Sequence, residues 1–315
     1  MFSSIWKDGI MGVIIGDALG CPVQFMDRRS IARQPVTKMT GYGTYNMPPG
    51  TWTDDGSMTL ATLVSIRENK GINPADIMYR FALWLTKGEY TPFGEAFDNG
   101  RGTTEAIVRY MNNPDVSTCG GTTVRDNGNG SLMRIIPVCL YCYDQQQTGK
   151  LTDADAIALI DRISGLTHNH MRAKIACGLY YFMIRELLNA DGSLIERLQK
   201  GIDAGTALYM QDPQYSGEIS RYSRLRDLSA FRGLPASEIK SSGYVVDTLE
   251  AAVWSLLKTG TFRDALLVAV NLGDDTDTVG AICGGLAGLY YGYDEIPDDW
   301  LAVIQRRDWI ENLCQ

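Results

Sequence analysis

A cluster of three aspartates directly before a small-residue apolar run places the strongest constraint on what this chain can fold into. Asp274, Asp275 and Asp277 fall within four positions, and the segment 279–289 that follows contains four glycines. Because glycine costs a helix about 1 kcal/mol relative to alanine, this many glycines indicate a helix against which other helices pack closely. Carboxylates gain up to about 1 kcal/mol near a helix N-terminus, but three of them repel one another unless a cation lies between them. The stretch therefore predicts either a helix with an acidic start, capped by Thr276 or Asp277, or a metal site.

A second acidic stretch repeats this arrangement nearer the start of the chain. Thr53, Asp54 and Asp55 precede a helical pattern of apolar residues that continues to Ile66. Hard divalent cations such as Mg²⁺ and Mn²⁺ take carboxylate, hydroxyl and water oxygens as ligands. The chain has two histidines, which argues against a zinc site. If the two acidic stretches face each other, they supply enough oxygen ligands for two divalent cations.

The composition is that of a folded globular protein large enough to bury a sizeable core. Of the 315 residues, 45% are hydrophobic and 21% are charged, which are ordinary proportions for such proteins. The formal net charge of −8 and the absence of a block of basic residues argue against nucleic acid as a partner. An anionic ligand would need local backbone amides or metal ions to offset the overall charge.

The sequence has the features of a cytoplasmic protein. Its seven cysteines are an odd number without regular spacing, which is typical of a reducing compartment. Cys139 and Cys142 have the spacing of a redox motif, but they lie in an apolar run and are predicted to be buried core thiols. No run reaches the ~18 apolar residues of a membrane span, and the N-terminus lacks the basic start and long apolar stretch of a signal peptide. We therefore expect a cytoplasmic location and no membrane insertion.

We predict one compact all-α domain over residues 1–315, because no alternating strand pattern is present and small-residue helices are joined by glycine and proline turns. Four glycines thin the first helix, 5–20, which indicates tight packing at the centre of the molecule. Asp17 in that helix is interpreted as a buried carboxylate that holds backbone amides, with direct chemistry as the alternative. Segments 21–52 and 206–243 are irregular, and the second is either a solvated surface or a lid. The other helices are predicted near 55–69, 74–86, 135–143, as a pair within 152–189, before Leu257, and near 262–270 and 275–290.

Two glycine-rich loops are candidates for binding phosphate, because closely spaced glycines before a helix expose backbone amides to an anion. The first loop, 97–104, can also be a simple helix start capped by Thr103 or Thr104. The second loop, 125–134, lacks the lysine of a Walker A motif. Its amides can still cradle a diphosphate, and the residues concerned are Gly128, Gly130 and Ser131.

Five short motifs follow one another along residues 9–290. They are Gly12-x3-Gly16-Asp17-Ala18-Leu19-Gly20, Thr53-Asp54-Asp55-Gly56, Asn129-Gly130-Ser131-Leu132-Met133-Arg134, Thr167-His168 and Asp275-Thr276-Asp277-Thr278. Each is weak alone, but together and in this order they resemble the ADP-ribosylglycohydrolases. The resemblance implies an orthogonal helical fold and a hydrolase that removes ADP-ribose from modified proteins with two Mg²⁺ or Mn²⁺ ions.

The resemblance also implies roles for individual residues. The implied metal ligands are Thr53, Asp54, Asp55, Asp275, Asp277 and Thr278, and the implied catalytic carboxylates are Asp55, Asp98 and Asp277. Contacts with the substrate are implied for Gln24, Gly100, Gly102, Thr103, Asn127, Gly128, Gly130, Ser131, Met133, His168 and Tyr244. Asp274 stands where the family usually has glycine and is expected to be exposed or to act through the ligands. Asp98 resembles the arginine-directed branch, which implies ADP-ribosylated arginine as the substrate.

One departure from the family pattern keeps a second function class open. Gln24 lies where most relatives have glutamate, and an amide cannot accept a proton at neutral pH. The alternative is an ADP-ribose-binding immunity or regulatory protein that neutralises an ADP-ribosyltransferase with little or no turnover. The complete set of acidic ligands favours an enzyme in which the metal-bound carboxylates and Asp98 do the acid–base work. It also argues against a purely structural role, which is known among relatives that have lost ligands.

Overall fold

The computed structural model describes residues 4–189 and 191–315, and the regular structure of these residues is helical, as the sequence predicts. Apart from short 3₁₀ turns, they hold two isolated β-bridges, between Gly121 and His168 and between Gly128 and Tyr244. The α-helices are α1 Ser4–Gly20, α2 Arg28–Arg33, α3 Asp54–Asn69, α4 Pro74–Lys87, α5 Arg101–Asn112, α6 Ile136–Gln147, α7 Asp153–Ser164, α8 Met171–Asn189, α9 Leu194–Met210, α10 Pro213–Ser216, α11 Leu228–Gly233, α12 Val245–Leu257, α13 Phe262–Val270, α14 Thr276–Tyr291, α15 Asp298–Leu301 and α16 Arg307–Leu313.

The two segments predicted to be irregular contain short helices. Segment 21–52 includes α2, and segment 206–243 includes the end of α9 together with α10 and α11. Each short helix begins after an aspartate whose side chain accepts hydrogen bonds from amides two or three residues further on; these caps are Asp27, Asp212 and Asp227. Local capping rather than an apolar period starts these helices, so a search for helical periodicity misses them.

Helices α1 and α14 cross in close contact at the centre of the molecule. A β-carbon built on Gly12 would lie 2.1 Å from the carbonyl oxygen of Gly284, and one built on Gly16 would lie 2.0 Å from that of Gly280. Since no β-carbon can approach so closely, both helices need glycine at the crossing. Around this pair, α8, α12 and α13 pack on α14, and α3 packs on α1. The predicted close approach between helices is present.

The crossing fixes where α14 begins relative to the end of α1. The hydroxyl of Thr276 donates to the carbonyl oxygen of Gly20 at 2.8 Å. A β-carbon on Gly20 would lie 2.4 Å from the backbone nitrogen of Asp277. The acidic start of α14 is therefore held against the C-terminal turn of α1.

Asp17 connects α1 to the start of α3. Both of its carboxylate oxygens lie 2.9 Å from the backbone nitrogen of Thr53, and Oδ2 also accepts from the amide of Gly56 at 2.8 Å. The interpretation of Asp17 as a buried carboxylate that holds backbone amides is confirmed. The Thr53 side chain in turn accepts from the amide of Asp55 and caps α3.

Thr103 and Thr104 were the predicted caps of the helix that follows the first glycine-rich loop, and neither caps it. Helix α5 begins at Arg101 with Gly100 as its N-cap, and no side chain caps it. Thr103 and Thr104 thus lie within the first turn, where Thr103 is buried.

The predicted caps of α14 are also wrong. The helix begins at Thr276, and Asp275 is its N-cap. Thr276 is the first residue of the helix, and its hydroxyl donates to the carbonyl oxygen of Gly20 in α1 instead of capping α14.

The seven cysteines are buried and free, so the prediction of core thiols is confirmed for Cys139 and Cys142. Burial raises the pKa of the Cys142 thiol to about 12, which leaves it protonated and unreactive at neutral pH. In the described part of the chain, no helix combines the length and the apolar composition needed to cross a membrane.

Candidate active site

The N-termini of α3 and α14 open onto one cavity of about 540 Å³, and the two glycine-rich loops form its other walls. Asp54 reaches the cavity from α3, Asp275 and Thr278 from the start of α14, and Asp98 from the first loop. The residues implied by the family resemblance that line this cavity are Gln24, Asp54, Asp98, Gly100, Gly102, Thr103, Gly128, Gly130, Met133, His168, Asp275 and Thr278.

Two threonine hydroxyls connect the acidic stretches. Thr53 Oγ1 lies 3.5 Å from Asp55 Oδ2 and 3.4 Å from Asp277 Oδ2. Thr278 Oγ1 lies 3.4 Å from Asp55 Oδ2 and 3.4 Å from Asp275 Oδ1. We call these five residues the Thr–Asp network. It joins side chains more than 220 positions apart, so the two acidic stretches face each other.

The carboxylates of the Thr–Asp network are incompletely satisfied within the protein. Asp55 and Asp277 are buried, and Oδ1 of each has no hydrogen-bond partner among the described residues. Burial, followed by repulsion between neighbouring carboxylates, raises the pKa of Asp54, Asp55 and Asp277 well above the usual range. Burial also raises the pKa of Asp275, although a hydrogen bond from Asn129 opposes this shift.

These observations fit divalent cations of the Mg²⁺ or Mn²⁺ kind. The available ligand atoms are all oxygens, two of them are buried without a partner, and a cation would relieve the repulsion that raises the carboxylate pKa values. Within residues 4–189 and 191–315, no three His, Cys, Asp or Glu side chains converge as a preformed metal cluster.

Two amide side chains hold Asp275. Asn129 Nδ2 donates to Asp275 Oδ2 at 2.5 Å and to Thr248 Oγ1 at 3.0 Å. Gln24 Nε2 donates to Asp275 Oδ1 at 3.5 Å, while the buried Gln24 Oε1 has no partner among the described residues. Asn129 is a site residue that sequence reasoning missed, although its place at the start of a glycine-rich motif is a signal for it.

Asp98 occupies an unusual backbone conformation at the edge of the cavity. Its φ of 56° is in the left-handed region, which aspartate tolerates better than most residues. Tyr45 Oη donates to Asp98 Oδ1 at 2.6 Å, and the Tyr45 ring packs on Phe97 with centroids 5.2 Å apart. Burial and this hydrogen bond raise the pKa of Tyr45, so the phenol remains a donor. No sequence pattern connects Tyr45 with Asp98.

The glycines of both loops lie against His168. A β-carbon built on Gly130 would lie 2.7 Å from His168 Cε1 and 2.8 Å from Thr103 Oγ1, which no real side chain allows. One built on Gly102 would lie 3.2 Å from His168 Nε2, and one on Gly128 would make an ordinary 3.4 Å contact with the same atom. The absence of side chains at these positions leaves backbone and imidazole to form this wall of the cavity.

Three implied substrate contacts do not line the cavity. Ser131 Oγ accepts a hydrogen bond from Ser164 at 2.9 Å inside the core. The ring of Tyr244 lies 5.6 Å from the Arg172 guanidinium. Asn127 is buried, and its side-chain amide donates to the carbonyl oxygen of Val124 at 3.0 Å. Cavity residues that sequence reasoning did not assign to the site are Phe25, Arg101, Asn129, Ser242, Gly243 and Asp274.

Buried carboxylates from two helix N-termini meet at an open cavity in an all-helical fold, and comparison with known proteins identifies the family. The sequence model of the ADP-ribosylglycohydrolases matches residues 6–315. The chain belongs to the ADP-ribosylglycohydrolase family, and the prediction that it is a hydrolase is confirmed.

Individual relatives agree with this assignment. The chain is 32% identical to ADP-ribosylarginine hydrolase Tri1 of Serratia proteamaculans (strain 568), an alignment that covers 98% of this chain and 77% of the relative. It is 32% identical to ADP-ribosyl-[dinitrogen reductase] glycohydrolase of Rhodospirillum rubrum, covering 94% and 89% of the two chains. A solved structure of an ADP-ribosylglycohydrolase-related protein complex superposes with a TM-score of 0.78 at 29% identity, covering 99% of this chain and 95% of that one.

Proposed function

We propose that this chain removes ADP-ribose from modified proteins by hydrolysing the glycosidic bond between the terminal ribose and an acceptor arginine. The observation that carries the proposal is that the Thr–Asp network reaches the cavity with glycine-rich walls: Asp275 and Thr278 line it, and hydrogen bonds join them to the buried part of the network. An acidic, oxygen-rich surface and an amide-rich surface therefore face the same ligand. One suits divalent cations and the hydroxyls of a sugar, and the other suits a diphosphate.

The acidic surface is proposed to hold two Mg²⁺ or Mn²⁺ ions. The proposed ligands are Thr53, Asp54, Asp55, Asp275, Asp277 and Thr278. When bound, such ions supply Lewis-acid charge and lower the pKa of a coordinated water. The partnerless Oδ1 atoms of Asp55 and Asp277 support this proposal, because a buried carboxylate oxygen without a hydrogen bond or an ion is costly.

The amide-rich surface is proposed to orient ADP-ribose. The backbone amides around Gly100, Gly102 and Thr103, together with those around Gly128 and Gly130, would bind the diphosphate, since the first turn of a helix attracts anions. Both glycine-rich loops line the cavity. The chain as a whole carries a net charge of −8, so local amides rather than the overall field must attract the ligand.

Asp98 is proposed as a catalytic carboxylate at the scissile bond. Tyr45 holds one oxygen of Asp98, which leaves the other oxygen free to face the ligand in the cavity. Glycosidic cleavage develops positive charge on the sugar, and a nearby carboxylate stabilises it. A carboxylate also pairs with a guanidinium through charge-assisted hydrogen bonds, which suits arginine as the acceptor. The name of the Serratia relative, an ADP-ribosylarginine hydrolase, supports the same acceptor.

The second candidate function is the ADP-ribose binder with little turnover, and Gln24 is the observation that favours it. Its amide lies in the cavity beside Asp275, where it can orient water or a ligand but cannot take a proton at neutral pH. The intact Thr–Asp network favours the enzyme. In the enzyme, we propose that the proton is taken by a carboxylate of the network, with Asp55 and Asp277 as the candidates.

The test is to incubate the protein with arginine-, serine- and guanine-linked ADP-ribose, each with and without Mg²⁺ or Mn²⁺, and to identify the product. The proposal expects metal-dependent release of free ADP-ribose from the arginine linkage. Release from another linkage alone would contradict the arginine assignment. Tight binding of ADP-ribose without release from any substrate would favour the binder.

A further inference from the structure

Arg134 is a buried cation that has no role in the proposed reaction. The residue is fully buried at the end of the second glycine-rich loop, and its guanidinium lies 4.6 Å from the centre of the Phe81 ring. None of the carboxylates in the described part of the chain forms an ion pair with it. A buried charge without a counterion is costly, so its position requires an explanation.

The guanidinium is directed at Thr167. Arg134 Nη2 donates to Thr167 Oγ1 at 2.7 Å and to the carbonyl oxygen of Ile163 at 3.3 Å. Thr167 Oγ1 also lies 2.9 Å from His168 Nδ1. Arg134, Thr167 and His168 thus form a continuous buried chain of hydrogen bonds that ends at the cavity.

The chemistry of these groups fixes the direction of every hydrogen bond. Arginine can only donate, so Thr167 Oγ1 accepts from Arg134. Among the described residues, His168 Nδ1 is the one acceptor that the structure gives to the hydroxyl hydrogen of Thr167. A proton on Nδ1 would leave this buried hydroxyl hydrogen without an acceptor, which is unfavourable. Nδ1 is therefore the unprotonated nitrogen, and the ring proton resides on Nε2.

Nε2 lies at the cavity side of the ring. It is the His168 atom nearest to β-carbons built on Gly102 and Gly128, and His168 lines the cavity with both glycines. An N–H on Nε2 therefore lies beside both glycine-rich loops and adds one more donor to the amide-rich surface.

We propose that Arg134 is a positioning residue, which through Thr167 holds His168 as the neutral Nε2–H tautomer so that this N–H donates to an anionic oxygen of the ADP-ribose diphosphate. The ligand part of this inference rests on the proposed function, whereas the tautomer does not. Burial and the charge of Arg134 lower the pKa of His168 to about 3, and Asp126 is the neighbouring group that acts in the opposite sense. His168 thus serves as a fixed donor and does not exchange protons during turnover.

Nuclear magnetic resonance of histidine nitrogens distinguishes the two tautomers directly. The spectrum is simple because the chain has two histidines. Protein with ¹⁵N-labelled histidine is recorded in the absence of ligand at pH 5, 6.5 and 8, and a His170→Gln variant assigns the signals. The expected spectrum shows unprotonated Nδ1 and protonated Nε2 for His168 at all three pH values. A proton on Nδ1, in either a neutral or a cationic ring, would overturn the inference.

Two variants of Thr167 test whether the relay positions the donor. Thr167→Val removes the hydroxyl at nearly constant shape, and Thr167→Ser keeps it. We expect the valine variant to bind ADP-ribose about tenfold more weakly, or about 1.4 kcal/mol, and the serine variant to stay within about threefold of the wild type. Equal ADP-ribose affinity for the valine variant and the wild type would overturn the positioning role.

Arg134→Gln should weaken ADP-ribose binding in the same way, and if it does not fold, the Thr167 pair decides the question. Thermal unfolding and Mn²⁺ affinity are measured for each variant to separate this effect from a general loss of structure. Neither should change in the control, Thr167→Ser. Failure of the wild type to bind ADP-ribose would overturn the proposed function and the ligand part of this inference together. The histidine spectrum would still decide the tautomer.

Discussion

The carboxylate of Asp17, in the middle of the molecule, accepts a hydrogen bond from the backbone nitrogen of Thr53 at 2.9 Å. Thr53 is both the cap of α3 and a member of the Thr–Asp network. Since α1 also crosses α14 through its glycines, one helix fixes the position of both acidic stretches. The geometry of the site is therefore determined by the packing of α1.

Replacing Asp17 by asparagine should destabilise the protein and disturb the site. The amide nitrogen of asparagine would face the backbone N–H of either Thr53 or Gly56, and an unsatisfied buried donor costs about 1–3 kcal/mol. Urea unfolding measures the loss of stability. Asp27→Asn is the matched control, because Asp27 is the exposed cap of α2 and asparagine caps a helix equally well. Equal stability of the two variants would contradict this role for Asp17.

The glycine-rich wall should tolerate a methyl group at Gly128 and not at Gly130. Gly130→Ala forces His168 or Thr103 to move, whereas Gly128→Ala adds an ordinary contact. We expect Gly130→Ala to weaken ADP-ribose binding at least tenfold, Gly130→Val to weaken it further, and Gly128→Ala to change it less than about threefold. Calorimetry with ADP-ribose measures this, and Mn²⁺ affinity should stay unchanged in all three. Wild-type affinity in Gly130→Val would mean that the loop has only a structural role.

Asp98 and Gln24 separate the enzyme from the binder. Asp98→Asn should reduce release of ADP-ribose from arginine-modified protein by about 100- to 10,000-fold, the usual contribution of an acid–base or charge-stabilising group. Its affinity for ADP-ribose should remain within a few fold. Gln24→Glu should change the rate only modestly, since the carboxylates of the Thr–Asp network are proposed to take the proton. An inactive wild type with an active Gln24→Glu variant would instead identify the natural protein as a binder.

His168 should make the protein less stable in mild acid. Its pKa is lowered from an ordinary value of 6.5 to about 3 in the folded state, first by burial and then by Arg134. The unfolded chain takes up a proton below pH 6.5 and the folded chain does not, so the stabilisation present above pH 6.5 is lost as the pH falls toward 3. Between pH 8 and pH 5 the wild type should lose about 2 kcal/mol more unfolding free energy than His168→Gln.

His170→Gln is the control for this pH dependence. His170 is only partly buried and directly precedes α8. Burial lowers its pKa, and Glu218 opposes this shift. Its effect on the difference between pH 8 and pH 5 should therefore be smaller than that of His168→Gln. Identical pH profiles for the wild type and His168→Gln would show that His168 does not have this low pKa.

Local patterns in the sequence were enough to predict the elements that carry the site. The acidic stretches at Asp54 and Asp275, the helices they precede and the glycines of the α1–α14 crossing are all read from neighbouring residues. The contacts that complete the site join distant parts of the chain. The bond from Asn129 to Asp275 spans 146 positions and that from Tyr45 to Asp98 spans 53, and no local period encodes either of them.

Two kinds of local detail also escaped prediction. The predicted caps of α14, Thr276 and Asp277, lie one and two residues after the observed N-cap, Asp275, and the hydroxyl of Thr276 is bound to Gly20 instead. The left-handed backbone of Asp98 depends on the loop around it, since aspartate has no strong preference for that conformation. In both cases a tertiary contact overrides the local preference on which a sequence-based prediction depends.

The central claim is that the two acidic stretches form one site for divalent cations. Calorimetric titration of Mn²⁺ into the wild type, Asp55→Ala and Asp277→Ala tests it most directly, with circular dichroism to show that the variants remain folded. The wild type should bind two ions, and each variant should lose metal binding together with release of ADP-ribose, because each lacks a buried carboxylate that joins the two stretches. Unchanged Mn²⁺ binding in both variants would contradict the claim.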